Sequence, residues 1–228
     1  MKQQLILLCA SLTAATSLRA TTIASYDFTG GSTASSDTET FTTAGSISSG
    51  AGVTPAFTSD RIEIGGDDTP YNYPASPNPS SLEDAMGPAI STNSYLSFTV
   101  TIGNDVEADL TSIDFDYSSI NGFDFGFGVF TDKTGFTVGD ELAGVFGNEA
   151  SSPSLSGPVD LSGITSLQNL TDTSVEFRFY LMDRSGSNTR IHLFDNVSLE
   201  GNVSAIPETS TSLLGLLGLG LVLCRRRH

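Results

Sequence analysis

The chain has 228 residues and a formal net charge of −16 at pH 7, with 38% hydrophobic residues, two cysteines and no tryptophan. Residues 21–205 hold 25 of the 26 acidic residues but five of the ten basic ones, a net charge of −20. Such a charge repels nucleic acid, and it repels anionic polysaccharide unless a cation mediates, so no nucleic-acid partner is expected. Cys9 and Cys224 lie outside this stretch, which excludes a disulfide framework and a cysteine nucleophile within it.

The N-terminal residues 1–20 have the pattern of a secretory signal peptide. Lys2 supplies the positive start, and Leu5–Ala10 begins an apolar segment of the length that such peptides have. Cleavage is expected after Ala20, which leaves Thr21 as the mature N-terminus.

Residues 21–205 form one predicted domain of 185 residues, long enough to bury a core. Several segments alternate apolar and polar residues with a period of two, and turn residues separate them. The segments are Tyr95–Ile102, Ile113–Tyr117, Phe123–Val129 and Val175–Leu181. The pattern predicts an all-β fold in which two antiparallel sheets pack face to face, a β-sandwich of the jelly-roll type.

The same alternation assigns side chains to a core face and a polar face. Gly126, Gly128 and Tyr180 fall on the polar face. The predicted core comprises Phe98, Val100, Phe115, Phe125, Phe177, Phe179, Leu193 and Val197. Elsewhere, Arg61–Ile64 predicts a strand, and Ser81–Met86 predicts one or two helical turns capped by Ser80 or Ser81.

The last strand, residues 191–201, carries a conflict in its alternation. Its inward positions are Ile191, Leu193, Val197 and Leu199. Asp195 falls on that same parity, so either a bulge near Phe194 turns it outward or it is buried with partners. His192 falls on the opposite parity and is predicted to face solvent. The run Asp195-Asn196-Val197 resembles the closing strand of jelly-roll domains of the carbohydrate-binding-module and lectin-like kind, which supports the predicted fold.

Residue types that carry chemistry are sparse in the domain, and we expect no catalytic activity. His192 is its one histidine, and no serine has the surroundings of a nucleophile elbow. Sugar binding has no tryptophan to stack on, but tyrosines are present. Tyr71 and Tyr73 lie in a turn-rich loop and are the candidate ligand contacts, while Tyr95, Tyr117 and Tyr180 are further candidates on strands.

The last 23 residues combine three features in a fixed order. The prolyl motif Ile206-Pro207-Glu208-Thr209 comes first, and the 11 apolar residues Leu213–Leu223 follow. As a helix, that run is about 16 Å long, which is shorter than the hydrocarbon core of a bilayer at about 30 Å. Uncharged neighbouring residues extend the predicted membrane helix to about residues 210–224. Arg225, Arg226 and Arg227 then form a positive membrane stop on the cytoplasmic side.

This tail resembles the C-terminal sorting signal called PEP-CTERM, which has a Val-Pro-Glu-Pro-like motif, an apolar helix and a basic end. Ile206 and Thr209 stand where that motif has valine and its second proline. The resemblance implies export through the inner membrane, transient retention there by the tail, and processing by an exosortase-type enzyme.

Two functions are therefore open. The first is a non-catalytic exported protein, sorted by its tail and placed on the cell surface or in an extracellular matrix among exopolysaccharide. The alternative is a secreted carbohydrate-binding module or polysaccharide-acting enzyme. The lack of a catalytic constellation favours the first.

A structural calcium ion is also predicted where the first and last strands meet, because jelly rolls bring these strands side by side. Asp27 and Asp195 would then supply carboxylates, and Asn196 and backbone carbonyls further oxygens. The alternative is that both aspartates accept local turn hydrogen bonds. If calcium binds, millimolar calcium raises the thermal unfolding midpoint above that in chelator. The Asp27→Ala, Asp195→Ala double variant should abolish that shift, and identical melts of the unsubstituted chain would remove the site.

Overall fold

Two antiparallel β-sheets lie face to face in the computed structural model, which describes residues 19–65, 80–120, 125–147, 154–155, 158–183 and 191–206. The strands of these residues are β1 Arg19–Tyr26, β2 Thr42–Ala44, β3 Ser48–Ser49, β4 Pro55–Phe57, β5 Ile62–Gly65, β6 Tyr95–Ile102, β7 Val106–Ile120, β8 Phe125–Thr131, β9 Ala143–Gly147, β10 Ser154–Leu155, β11 Val159–Asp160, β12 Thr173–Asp183 and β13 Ile191–Ala205. A helix, α1, spans Leu82–Ser91, and single 3-10 turns span Thr29–Gly31 and Thr165–Leu167.

Strand β13 is the axis of the first sheet. That sheet has the order β10-β7-β13-β5-β4, and β11 adds to β7. One side of β13 pairs with β7, while its other side pairs with β5 in the first part and with β1 in the second. The second sheet has the order β2-β6-β12-β8-β9, and β3 adds to β6. The prediction of a β-sandwich is confirmed.

Four phenylalanines pack against one another between the two sheets. Phe115 and Phe194 come from the first sheet, Phe127 and Phe179 from the second, and each is at most 1% exposed. All six pairs of rings have centroids between 4.7 and 6.2 Å apart. Aromatic pairs at such distances add attraction to the gain from burial. We refer to these four residues as the phenylalanine quartet.

A β-bulge in β13 resolves the conflict in its alternation. Asp195 pairs with Asp116 and Ser198 with Asp114, so two residues, Asn196 and Val197, stand opposite one residue of β7. Asn196 has a φ of 50°, in the left-handed region that asparagine tolerates. Before the bulge the even-numbered side chains face the core, and after it the odd-numbered ones do.

The bulge corrects part of the predicted core. Leu193 is half-buried rather than in the core, and Phe194 is fully buried in its place. Val197 lies beyond the bulge and is buried as predicted. The predictions for Phe98, Val100, Phe115, Phe177 and Phe179 are confirmed, because each is at most 2% exposed. The side chain of Phe125 lies outside the described residues.

Helix α1 covers part of the outer face of the second sheet. Ser81 caps it, since its Oγ accepts from the Asp84 N–H at 3.1 Å, and the ten-residue helix is longer than the one or two turns predicted. A Cβ on Gly126 would lie 2.6 Å from the Ala85 Cβ, and one on Gly128 would lie 2.7 Å from the Met86 Sδ. These glycines therefore admit the helix, and their predicted place on a wet face is wrong.

The covered part of that face forms a second, smaller core. Phe130, Tyr180 and Met182 are at most 4% exposed there and pack with the buried residues of α1. In the part of the chain that the structure describes, no helix is long and apolar enough to cross a membrane. Most of the predicted signal peptide, residues 1–18, and the predicted membrane helix lie outside that part.

Adjacent residues Phe194 and Leu193 test this arrangement. Phe194→Ala should lower the free energy of unfolding by about 3–5 kcal/mol, because it removes one ring of the quartet. Leu193→Ala should cost about 1 kcal/mol or less, because that side chain is half-buried on the other face. Chemical denaturation of both variants measures the two losses of unfolding free energy. A larger loss for Leu193→Ala than for Phe194→Ala would show that the bulge is misplaced.

Candidate functional site

His192 is enclosed in the core, so the prediction that it faces solvent is wrong. It is fully buried, and its Nδ1 shares a hydrogen bond of 2.8 Å with the Tyr117 hydroxyl. Tyr117 in turn stacks on Phe127 with ring centroids 4.0 Å apart. The cause is the bulge, which places the even-numbered residues of the first part of β13 inside. A histidine in this place offers no ring to a substrate in solvent.

The first and last strands lie side by side, as the calcium prediction requires. Tyr26 pairs with Val197, so Asp27 comes directly after the pairing and close in register to Asn196. Asp27 is exposed, and its Oδ1 accepts from the Thr29 N–H at 3.0 Å, which lowers its pKa. Asp195 Oδ1 accepts from the neighbouring Asn196 N–H at 2.7 Å. Both aspartates therefore accept local hydrogen bonds, as expected if they do not bind calcium.

No group of three or more histidine, cysteine, aspartate or glutamate side chains among the described residues is arranged to hold a metal ion. The calcium site at Asp27 and Asp195 stays a prediction.

The outward side of the bulge is acidic. The Asn196 Nδ2 donates to Asp116 Oδ2 at 2.8 Å, which ties the bulge to β7. Partial burial raises the pKa of Asp195, and the negative charges of Asp116 and Asp60 raise it further against the opposing effects of the Asn196 N–H and Arg61. Asp195 is therefore a carboxylate that the fold holds in an unfavourable place when it is ionised.

An arginine occupies the aromatic surface on the outer face of the second sheet. The Arg178 guanidinium lies 4.4 Å from the centre of the Tyr95 ring and 3.9 Å from that of Phe136. It also donates to both carboxylate oxygens of Glu176, at 2.8 and 3.1 Å, and to the Tyr180 hydroxyl at 3.2 Å. Contacts of this kind hold the rings in place.

This arrangement decides which strand tyrosines can stack on a sugar. Tyr117 and Tyr180 are at most 2% exposed, so their candidacy as sugar contacts is wrong. Tyr95 is half-buried, and Arg178 covers one face of its ring. Tyr71 and Tyr73 lie outside the described residues.

Of the sorting motif, the structure describes Ile206 alone. Its side chain is 42% exposed, and its N–H donates to the Asp105 carbonyl at 2.8 Å. Pro207, Glu208 and Thr209, and the membrane stop Arg225, Arg226 and Arg227, lie outside the described residues.

Sequence reasoning missed a groove beside β1. Residues 35–41, which we name the strap, run along that strand: the Ser36 N–H donates to the Ser25 carbonyl at 2.7 Å, and the Thr21 hydroxyl donates to Glu39 Oε2 at 3.0 Å. Two adjoining clefts of about 240 and 310 Å³ follow the strap and share Thr21 and Thr38. We call them together the strap groove. The one local signal was Phe41, an isolated aromatic residue in a stretch rich in serine, threonine and glycine.

Comparisons with known proteins leave the family open. No family model matches the chain, and no curated protein matches it. Among solved structures, a family 11 carbohydrate-binding module from Clostridium thermocellum, in complex with a β-1,3-1,4-mixed-linked tetrasaccharide, is similar at 14% identity and a TM-score of 0.31. The likeness covers 78% of this chain and 95% of that one. The fold and the groove described above therefore rest on the geometry of the chain itself.

The pKa of Asp195 predicts a pH-dependent stability. Because that pKa is raised by folding, the group contributes stability below the ordinary aspartate pKa, and this stability is lost as the pH rises through the folded value. Asp195→Asn should therefore raise the thermal unfolding midpoint at pH 7 and leave it unchanged near pH 3.

Asp160→Asn is the matched control of opposite sign. The hydroxyl and the N–H of Ser162 lower the pKa of Asp160, so its contribution is present above the ordinary pKa and is lost as the pH falls through the folded value. That variant should lower the midpoint at pH 7. Thermal melts in chelator at both pH values measure the changes, and a lower midpoint for Asp195→Asn at pH 7 would contradict the assignment.

Proposed function

We propose that this protein is a non-catalytic, exported protein of the cell surface or extracellular matrix. An N-terminal signal peptide exports it, and a PEP-CTERM-like tail holds it transiently at the inner membrane. An exosortase-type enzyme then processes the tail, and the β-domain is deposited among exopolysaccharide. The sandwich is of the jelly-roll type, a proposal supported by first and last strands that pair in one sheet.

The observation that carries the proposal is the position of the two ends of the domain. Strands β1 and β13 are antiparallel, and Arg19 pairs with Val203. The end of the predicted signal peptide and the start of the sorting motif at Ile206 therefore lie at the same end of the first sheet. One membrane surface can be reached from both without the domain standing between them. This geometry suits a precursor that carries a membrane-directed segment on each side.

The non-catalytic part of the proposal is supported by where the candidate catalytic side chain lies. His192 is the histidine of the domain, and the core encloses it against Tyr117. A general base must come within hydrogen-bond reach of the proton that it removes. The carboxylates of the strap groove are bound to neighbouring hydroxyl and N–H groups, which suits binding better than proton transfer.

Processing of the tail is the test. In cells that contain an exosortase, we expect mature protein that lacks residues 213–228, and deletion of the exosortase should leave the tail in place. Replacement of Arg225, Arg226 and Arg227 by glutamine should impair retention and processing, because the positive stop is lost. Mass spectrometry of the exported protein reads both results, and an intact C-terminus on most molecules in the exosortase strain would falsify the proposal.

A further inference from the structure

The lining of the strap groove has an unusual uniformity. Eight of the side chains that line it carry a hydroxyl or a carboxylate, and the others are Phe41 and Val203. The polar ones are Thr21, Thr22, Ser25, Ser36, Asp37, Thr38, Glu39 and Thr40. Among the side chains that the structure describes, none that lines the two clefts belongs to lysine or arginine. The side chain of Arg19, whose backbone pairs with Val203, lies outside the described residues. The groove therefore offers hydrogen-bond partners and an aromatic ring.

Its two carboxylates are held in place by the protein. Glu39 Oε2 accepts from the Thr21 hydroxyl, and its Oε1 accepts from the N–H groups of Thr40 and Phe41 at 2.8 and 3.3 Å. Asp37 accepts from the Ser35 hydroxyl at 2.7 Å and from the Glu39 N–H at 3.1 Å. An ionised carboxylate has about four lone-pair positions, so each retains capacity for a further donor. Fixed acceptors of this kind cost little ordering when a ligand with hydroxyl donors binds.

An exposed aromatic ring adjoins one of these acceptors, Glu39. Phe41 is 50% exposed and lines the same cleft as Glu39 and Thr21. Its carbonyl accepts from the Gly103 N–H at 3.1 Å, which anchors the backbone while the ring remains accessible. Hydroxyl and carboxylate groups beside one flat apolar surface match a ligand that has many hydroxyls and one apolar face. A sugar ring has this chemistry.

A second reading of Phe41 is contact with a bilayer. Phe41 and Ile206 are both exposed, and both bond to the loop 103–105, next to the end of the described domain. Against that reading, Glu39 lines the cleft, and Asp105 and Glu107 belong to or follow the loop. Negative charges are repelled by an anionic leaflet. The lining hydroxyls and the acidic charge favour a neutral polyhydroxylated ligand.

We propose that the strap groove binds a neutral saccharide, with one sugar face on the Phe41 ring and sugar hydroxyls donating to Asp37 and Glu39. Anionic polysaccharide is excluded by the same carboxylates. This inference rests on the proposed function in one respect, namely that an exported protein meets exopolysaccharide, which would be the source of the saccharide. Binding is measured on purified protein, so a failure of export or of tail processing does not alter its outcome.

The absence of tryptophan from the chain permits a direct test. Phe41→Trp places a single tryptophan in the groove, and Phe57→Trp places one on β4, where the native side chain is 39% exposed. Each full chain is purified in a detergent without a sugar headgroup. Both are titrated with neutral oligosaccharides of β-glucan, mannan and xylan, and with an oligosaccharide of galacturonic acid as the anionic control.

We expect a saturable change of fluorescence at position 41 with at least one neutral oligosaccharide, and none at position 57 or with the anionic control. Glu39→Gln removes a proposed sugar contact, and Thr21→Val removes the hydroxyl that holds Glu39 in place. In the Phe41→Trp background, each substitution should raise the dissociation constant of the oligosaccharide about tenfold, the size expected for a well-placed contact. Circular dichroism of each variant shows that the fold is intact, so that a lost response reports a lost contact.

Two results overturn the proposal. The first is a fluorescence titration in which the tryptophan at position 41 does not respond to any neutral oligosaccharide, or responds no differently from the tryptophan at position 57. The other comes from full chains reconstituted into vesicles with brominated acyl chains. Quenching of tryptophan at position 41 but not at position 57, without a saccharide response, would assign the Phe41 ring to the bilayer.

Discussion

The phenylalanine quartet is the contact on which the sandwich depends. Phe115 and Phe194 face Phe127 and Phe179, and each ring touches the other three. The domain has no cysteine to link the sheets covalently, and its net charge of −20 opposes compaction. Burial of apolar surface must therefore supply the cohesion. Where acidic residues are exposed, water and salt screen their mutual repulsion.

One bulge connects this core to the surface. The extra residue at Asn196 lets Phe194 join the quartet and turns Asp195 outward, beside Asp116 on β7. The same shift encloses His192 beside Tyr117. Loss of the bulge would therefore expose an aromatic ring, bury a carboxylate and expose a histidine at once. Bulges of this kind are stable features of sheets, since the whole pattern of side chains depends on them.

The sequence predicted what its local period controls. Strands β6 and β12 alternate without interruption, so their core residues Phe98 and Phe177 were correctly assigned. The alternation misassigned Leu193 and His192 because a bulge changes parity within β13. The local sign of that bulge was Asp195 on the inward parity, which allowed either a bulge or a buried aspartate. Glycines such as Gly126 were read as a wet face, because glycine has no side chain to show that a helix covers it. The strap groove was missed because it depends on long-range contacts, such as Thr21 with Glu39, that no local pattern encodes.

The glycines beneath α1 allow the helix to pack directly on the backbone of the second sheet. A Cβ on Gly128 or Gly144 would collide with the helix, so along β8 and β9 the helix supplies apolar cover that the strands lack. Undocking of α1 would expose Phe130 and Tyr180 together with bare strand backbone. The packing of α1 is therefore coupled to β8, β9 and β12. Amide exchange in these strands should therefore depend on the docking of the helix as well as on fraying of the sheet edge.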